Sequence, residues 1–225
     1  MITDDKRIRI IIGHYGSGKS EFALNYVTKL RELVDTNVAI ADLDVVNVYF
    51  RSREKKELLN KKNIEAIDSS IQTQTLDVPS ISARVMTPLN DSSYNYVMDV
   101  GGNEVGARVV GRFSELIDEN DYDMFCVVNA NREQTQTAKE VINHIREIEK
   151  SSKLKVTGLI NNTHLIRETT LEDILRGQEV VKEVSRICSI PIKYVSCLEE
   201  LIDQLPKDIE GEILPINLYL REQWM

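Results

Sequence analysis

Three observations predict an α/β fold with a doubly wound, mostly parallel sheet of about seven strands flanked by helices. A strand of apolar, β-branched residues (7–12) runs directly into a glycine-rich loop and then into an amphipathic helix (21–33). Short apolar runs alternate with helical patterns along the rest of the chain. Most of those runs are apolar throughout, as strands covered on both faces are. Right-handed crossovers then place helices on both faces of the sheet.

The elements follow in order. After the strand at 7–12, strands are expected at 37–43, 64–68, 96–100, 124–130, 155–160 and 192–195. Between them, residues 54–62 read as a charged helix. Residues 135–150 carry Val141, Ile145 and Ile148 at helical spacing. Residues 171–188 do the same with Ile174, Leu175, Val180, Val181 and Val184. The tail, 206–225, is expected to be an irregular cover. No repeat, low-complexity stretch or linker interrupts the pattern. The 225 residues are therefore expected to form one domain, 1–225, long enough to bury a core.

Bulk properties narrow the classes. The net charge is −8 and the pI about 5.1, which argues against a generally basic nucleic-acid surface, although a local patch stays possible. Apolar stretches are strand-sized, so no membrane span is expected. The first residues carry no apolar signal region, and a cytoplasmic protein is expected. The tail contains Pro215 and few basic residues, so no amphipathic membrane anchor is expected. Cys126, Cys188 and Cys197 are scattered and read as reduced thiols. The three histidines are equally dispersed and suggest no zinc site.

The loop after the first strand, Gly13-His14-Tyr15-Gly16-Ser17-Gly18-Lys19-Ser20, satisfies G-x-x-x-x-G-K-S/T at every fixed position. Its glycines let backbone N–H groups face phosphate oxygens, and the following helix, with Glu21 in its first turn, adds the positive end of its dipole. Lys19 is expected at the β- and γ-phosphates and the Ser20 hydroxyl on Mg²⁺. The motif thus implies a nucleoside triphosphate with magnesium.

A magnesium–phosphate site also needs acids at neighbouring strand ends. The second strand ends in Asp42-Leu43-Asp44 and the fourth in Asp99-Val100-Gly101-Gly102. Asp99 is placed as a Walker B aspartate holding a magnesium-bound water would be. Gly101 or Gly102 can offer a backbone N–H to the γ-phosphate. Asp42 and Asp44 point to one side if the segment stays extended, one toward the metal shell and the other toward the attacking water. The segment 47–53, rich in aromatic residues and arginine, can form a partner surface through Arg51 or Arg53, or simply lead into the charged helix. Residues 129–134, with Arg132, should also face the site.

Together, residues 13–20, the Asp42-x-Asp44 segment and Asp99-Val100-Gly101-Gly102 resemble the MinD/ParA/CobQ-like branch of P-loop NTPases, the SIMIBI class. The resemblance covers most of the chain. It implies binding of ATP and ADP, slow hydrolysis and a nucleotide-dependent homodimer. It also implies that Asp42 lies near magnesium and that Asp44 positions the water. Asn162, with Asn161 beside it, matches the position that reads the adenine edge, and residues 196–200 would lie against the base. The chain departs from the partitioning members at His14, where they carry a lysine reaching the opposite subunit's nucleotide. An unperturbed histidine is mostly uncharged at neutral pH, with a pKa of about 6.5. Either another dimer contact replaces the lysine or hydrolysis is intrinsically slow.

The resemblance implies a switch ATPase acting on a protein client. Three alternatives remain: a small-molecule kinase or amide-forming synthetase of the same fold, a metallocentre-maturation ATPase, and a non-enzymatic nucleotide sensor.

Overall fold

The computed structural model describes residues 1–44, 56–68 and 83–220. In chain order the elements are β1 (Ile8–Ile12), α1 (Lys19–Leu33), β2 (Asn37–Leu43), α2 (Lys56–Lys61), β3 (Glu65–Asp68), α3 (Thr87–Asn90) and β4 (Tyr94–Val100). Then come α4 (Glu104–Gly111), β5 (Tyr122–Val128), α5 (Ala138–Ser152), β6 (Gly158–Asn161), α6 (Leu171–Cys188), β7 (Ile192–Leu198) and β8 (Glu212–Ile216). The strands form one sheet in the order β3-β2-β4-β1-β5-β6-β7-β8. Every neighbouring pair is parallel. The segment 47–53 and the start of the expected helix at 54–62 lie outside the described residues.

Alternation along β1 explains the two cores. Ile8, Ile10 and Ile12 pack with Val110 of α4, Val141 and Ile145 of α5, and Val181 of α6. Ile11 points to the other face, with Phe22, Tyr26, Val27 and Leu30 of α1. All five residues of β1 are buried, as a central strand requires. The strand order reverses around β1, and ligands in such sheets bind beyond the carboxyl ends at that switch point.

Several expected boundaries move, each for a local reason. The tail is not wholly irregular: residues 212–216 form β8, an eighth strand on the edge beside β7. Pro215 is tolerated there because an edge strand has one unpaired side. β6 begins at Gly158, not 155. The Lys155 N–H donates to Tyr122 Oη, the Val156 N–H to Glu149 Oε1 and the Thr157 N–H to the Met124 carbonyl. β5 stops at Val128 because Asn129 Oδ1 takes the Asn131 N–H and turns the chain. α5 begins at Ala138, behind a capping box between Thr137 and Glu140, and residues 133–135 form a 3₁₀ turn.

Candidate nucleotide-binding site

The chain leaves β1 at the carboxyl edge and folds back on itself before α1. The Ser17 N–H donates to the His14 carbonyl (3.0 Å), closing the loop. Gly16 has φ +78°, and a side chain there would also meet Arg132 Nε at 2.9 Å. Arg132 donates from Nε to the Gly16 carbonyl (3.0 Å), bracing the loop from outside. The loop ends at the N-terminus of the 15-residue α1, where free backbone N–H groups and the helix dipole favour an anion.

Acids converge on this loop from β2 and β4. Asp42 and Asp99 are in register on adjacent strands, and both are buried. Asp44 Oδ2 lies 3.7 Å from Lys19 Nζ, with both side chains at least nine-tenths buried. The extended alternation expected through Asp44 ends at Leu43. The Asp44 N–H instead donates to Asp42 Oδ1 (3.1 Å), so the two acids meet through a turn.

Asp99 is fully buried, and neither oxygen has a donor in hydrogen-bonding geometry among the described residues. Burial pushes its pKa up to about 6; the Lys19 charge and the nearby Ser20 hydroxyl oppose that rise, and Asp44 adds to it. Lys19, Ser20, Asp44 and Asp99 are thus brought together. Gly101 and Gly102 join them. A Cβ on Gly101 would lie 3.1 Å from Asp44 Oδ1, and one on Gly102 would lie 2.6 Å from the Gly13 carbonyl. Only glycine lets the turn after β4 approach the loop backbone this closely.

His14, one residue into the loop, has Nδ1 3.2 Å from the Tyr15 carbonyl oxygen. Its ring meets His144 of α5 edge-on, with centroids 5.5 Å apart. Burial lowers the His144 pKa to about 4, with the His14 and Lys19 charges adding to the effect, so His144 is neutral at pH 7. Tyr15 is largely exposed at the loop tip.

A second set of residues comes from β5, β6 and β7. Asn162 donates from Nδ2 to the Ser17 carbonyl (2.7 Å) and accepts at Oδ1 from Ser196 Oγ (2.6 Å). Asn161 points elsewhere, donating to the Ile174 carbonyl (2.9 Å) and to Gln178 (3.0 Å). Asn129 is fully buried. Its amide donates to the Gly16 carbonyl (3.4 Å) and the His164 carbonyl (3.3 Å), and its Oδ1 accepts from the His164 N–H (3.2 Å). It therefore ties the phosphate loop to the segment after β6. Only its strand-end position hinted at this role.

Asn162 and Ser196 border a cavity of about 400 Å³, within the range of roughly 300–1,000 Å³ usual for small-ligand sites. Gly18, Lys19 and Ser20 line one part and Thr163, Ser196 and Leu198 another. Ile216, Leu218 and Leu220 also line it, and sequence reasoning missed them. No group of three or more His, Cys, Asp or Glu side chains among the described residues forms a metal cage. Magnesium does not need one, because it keeps several waters and binds through one or two carboxylates plus phosphate oxygens. The buried Asp99 oxygens beside Ser20 fit that mode.

No model of a known protein family matches the sequence, and no curated protein matches it. Solved structures do. FtsY from Mycoplasma mycoides is 16% identical with a TM-score of 0.57, over 84% of this chain and 59% of that one. FtsY from Thermotoga maritima is 17% identical with a TM-score of 0.55, over 85% and 62%. Signal recognition particle receptor FtsY from Elizabethkingia anophelis, solved with GDP, is 10% identical with a TM-score of 0.52, over 84% and 56%. The chain spans about three fifths of the length of these structures. At such identities the likeness is one of fold. The chain has the α/β fold of P-loop NTPases, with a parallel sheet flanked by helices, and shares that fold with the FtsY structures. No helix among the described residues is long and apolar enough to cross a membrane.

Proposed function

We propose that the protein binds ATP with magnesium at the carboxyl edge of the sheet, hydrolyses it, and uses the nucleotide state to change its affinity for a protein partner. The observation that carries this reading is the convergence of Asp99, a fully buried carboxylate, with Lys19, Ser20 and Asp44 at the end of the glycine-rich loop. Such a group costs folding energy unless a ligand completes it. Ser20 and Asp99 would hold magnesium, directly or through its waters, with Asp42 behind them. The ion would supply charge neutralisation at the phosphates. Lys19 binds the β- and γ-phosphates. Asp44, 3.7 Å from Lys19 and close to Gly101, orients the attacking water. A backbone N–H of Gly101 or Gly102 faces the γ-phosphate.

Adenine is favoured over guanine by the cavity's chemistry. Guanine presents two adjacent donors that suit a carboxylate, but among the described residues the acids lining the cavity are Glu21 and Asp44. Asp44 stands at Lys19, and Glu21 accepts backbone N–H groups of residues 219 and 220. Asn162 uses two of its four hydrogen-bonding sites within the protein, which leaves one donor and one acceptor for an adenine edge.

Calorimetry tests the binding. Lys19→Ala should abolish ATP affinity, whereas Asp44→Ala should keep ATP and lose at least tenfold in turnover. Unchanged affinity in the first, or a normal rate in the second, would overturn the assigned roles. A nucleotide-dependent homodimer belongs to the same reading, with His14 in place of the cross-subunit lysine keeping turnover slow. Light scattering should show a mass increase with a non-hydrolysable ATP analogue over ADP, and equal monomer masses across a wide concentration range would remove the dimer.

A further inference from the structure

β8 runs parallel to β7, so its carboxyl end arrives at the same edge as the phosphate loop. The chain then turns across that edge and lies along the start of α1. Asn25 Nδ2 donates to the Asn217 carbonyl (2.9 Å), and the Asn217 N–H donates back to Asn25 Oδ1 (2.7 Å). One helical turn earlier, the Glu21 carboxylate accepts the backbone N–H groups of Tyr219 and Leu220, the latter at 3.0 Å to Oε2. Bonds to an ionised acceptor are roughly twice as strong as neutral ones. Glu21 stands two residues after Lys19 on the same helix, so this latch and the phosphate cradle share one rigid element.

Held in this way, Ile216, Leu218 and Leu220 line the cavity while staying half-buried. Leu198, at the end of β7, lines it as well. A cavity with lysine and loop N–H groups in one part and four aliphatic side chains in another suits a ligand that is anionic at one end and flat and apolar at the other. A nucleotide has that form. Covering the base would bury apolar surface of both the base and this aliphatic wall.

We propose that residues 217–220 are a latched strap whose Leu218 and Leu220, with Ile216, form the wall against which the base of a bound purine nucleotide packs. Glu21 is the positioning residue that fixes this wall relative to the phosphate loop. The inference rests on the nucleotide-site reading above and adds to it a base-binding element supplied from the far end of the sequence.

The test compares ADP, GDP and inorganic tripolyphosphate by calorimetry on the full chain. Tripolyphosphate needs the loop and not the wall. The double variant Leu218→Ala, Leu220→Ala should weaken binding of the preferred nucleotide about tenfold and change tripolyphosphate affinity by less than twofold. Glu21→Gln keeps the size of the side chain and removes its charge. It should weaken the nucleotide roughly threefold and leave tripolyphosphate equal or tighter, a split that general damage to the fold would not produce. If the double variant does not fold, Glu21→Gln decides alone. Unchanged nucleotide affinity, or parallel losses for both ligands, overturns the strap. A wild-type protein that binds neither ligand overturns the nucleotide reading itself. One that binds tripolyphosphate as tightly as either nucleotide overturns the strap only.

Discussion

At the amino edge of the sheet, Asp5 is buried beneath β1 and β7, and Tyr26 Oη donates to its carboxylate (2.7 Å), as does Tyr194 Oη, while Lys193 Nζ lies 2.8 Å away. Arg9, also buried, donates to the carbonyls of Arg7 (2.9 Å) and Asp5 (3.1 Å) and to Asn95. At the carboxyl edge, Asp99 is fully buried, and among the described residues neither of its oxygens meets a donor in hydrogen-bonding geometry. The two acids differ in what completes them. Asp5 is completed by the protein, so its work is to hold the first residues against the sheet. In the function proposed above, Asp99 is left for a ligand to complete, which is how a binding site would differ from a structural network.

Substitutions can break this comparison. Asp5→Ala should be the most damaging, because it strands Lys193 and two buried tyrosine hydroxyls. A loss of about 3–5 kcal/mol is expected by urea unfolding, with nucleotide affinity per folded molecule unchanged. Asp99→Asn should do the reverse: stability equal to or above that of the parent, and magnesium-dependent ATP affinity reduced about tenfold. If Asp99→Asn instead destabilised the protein as much as Asp5→Ala, the two edges would be alike and the site argument would fail.

Asp173, at the start of α6, sharpens the contrast. Burial works to raise its pKa, but hydrogen bonds from the Thr170 N–H and hydroxyl, from Arg176 and from Asn131 outweigh it and hold it at about 2. A lowered acid stabilises the fold above its unfolded pKa, near 4, and that contribution disappears as pH falls through about 2. Asp173→Asn should therefore cost on the order of 1–2 kcal/mol at pH 7. The gap to the parent should close between pH 4 and pH 2 in acid-unfolding curves. A pH-independent gap would mean that the charge does not matter to the cap.

The strand, glycine-rich loop and helix from β1 to α1 were legible because their signal is local: glycines, lysine and serine at fixed spacing between an apolar strand and an amphipathic helix. The place of Asp99 near the end of β4 was legible for the same reason, as an acid ending an apolar run before two glycines. Strand edges were less so. β6 starts three residues later than its apolar pattern suggests, because the backbone before it is bonded to Tyr122, Glu149 and Met124. β8 was hidden by Pro215 and by an edge position that leaves only Leu214 well buried. The contact between Glu21 and residues 219–220 joins the two ends of the sequence, and no local pattern encodes it. Arg132 was singled out by position, but its partner, the Gly16 carbonyl, became visible only in three dimensions.

The strand order also bears on how the chain folds. The central strand, β1, pairs with β4 and β5, joining Ile8 to Tyr96 on one side and to Tyr122 on the other. Neither pairing is local. Long loops must close before either is rewarded, which makes folding slow compared with that of a helical bundle of similar size. During synthesis the isoleucines of β1 emerge before β4 and β5 and must wait for these neighbours. A strand buried throughout in the finished protein is therefore an aggregation hazard while the chain is still being made.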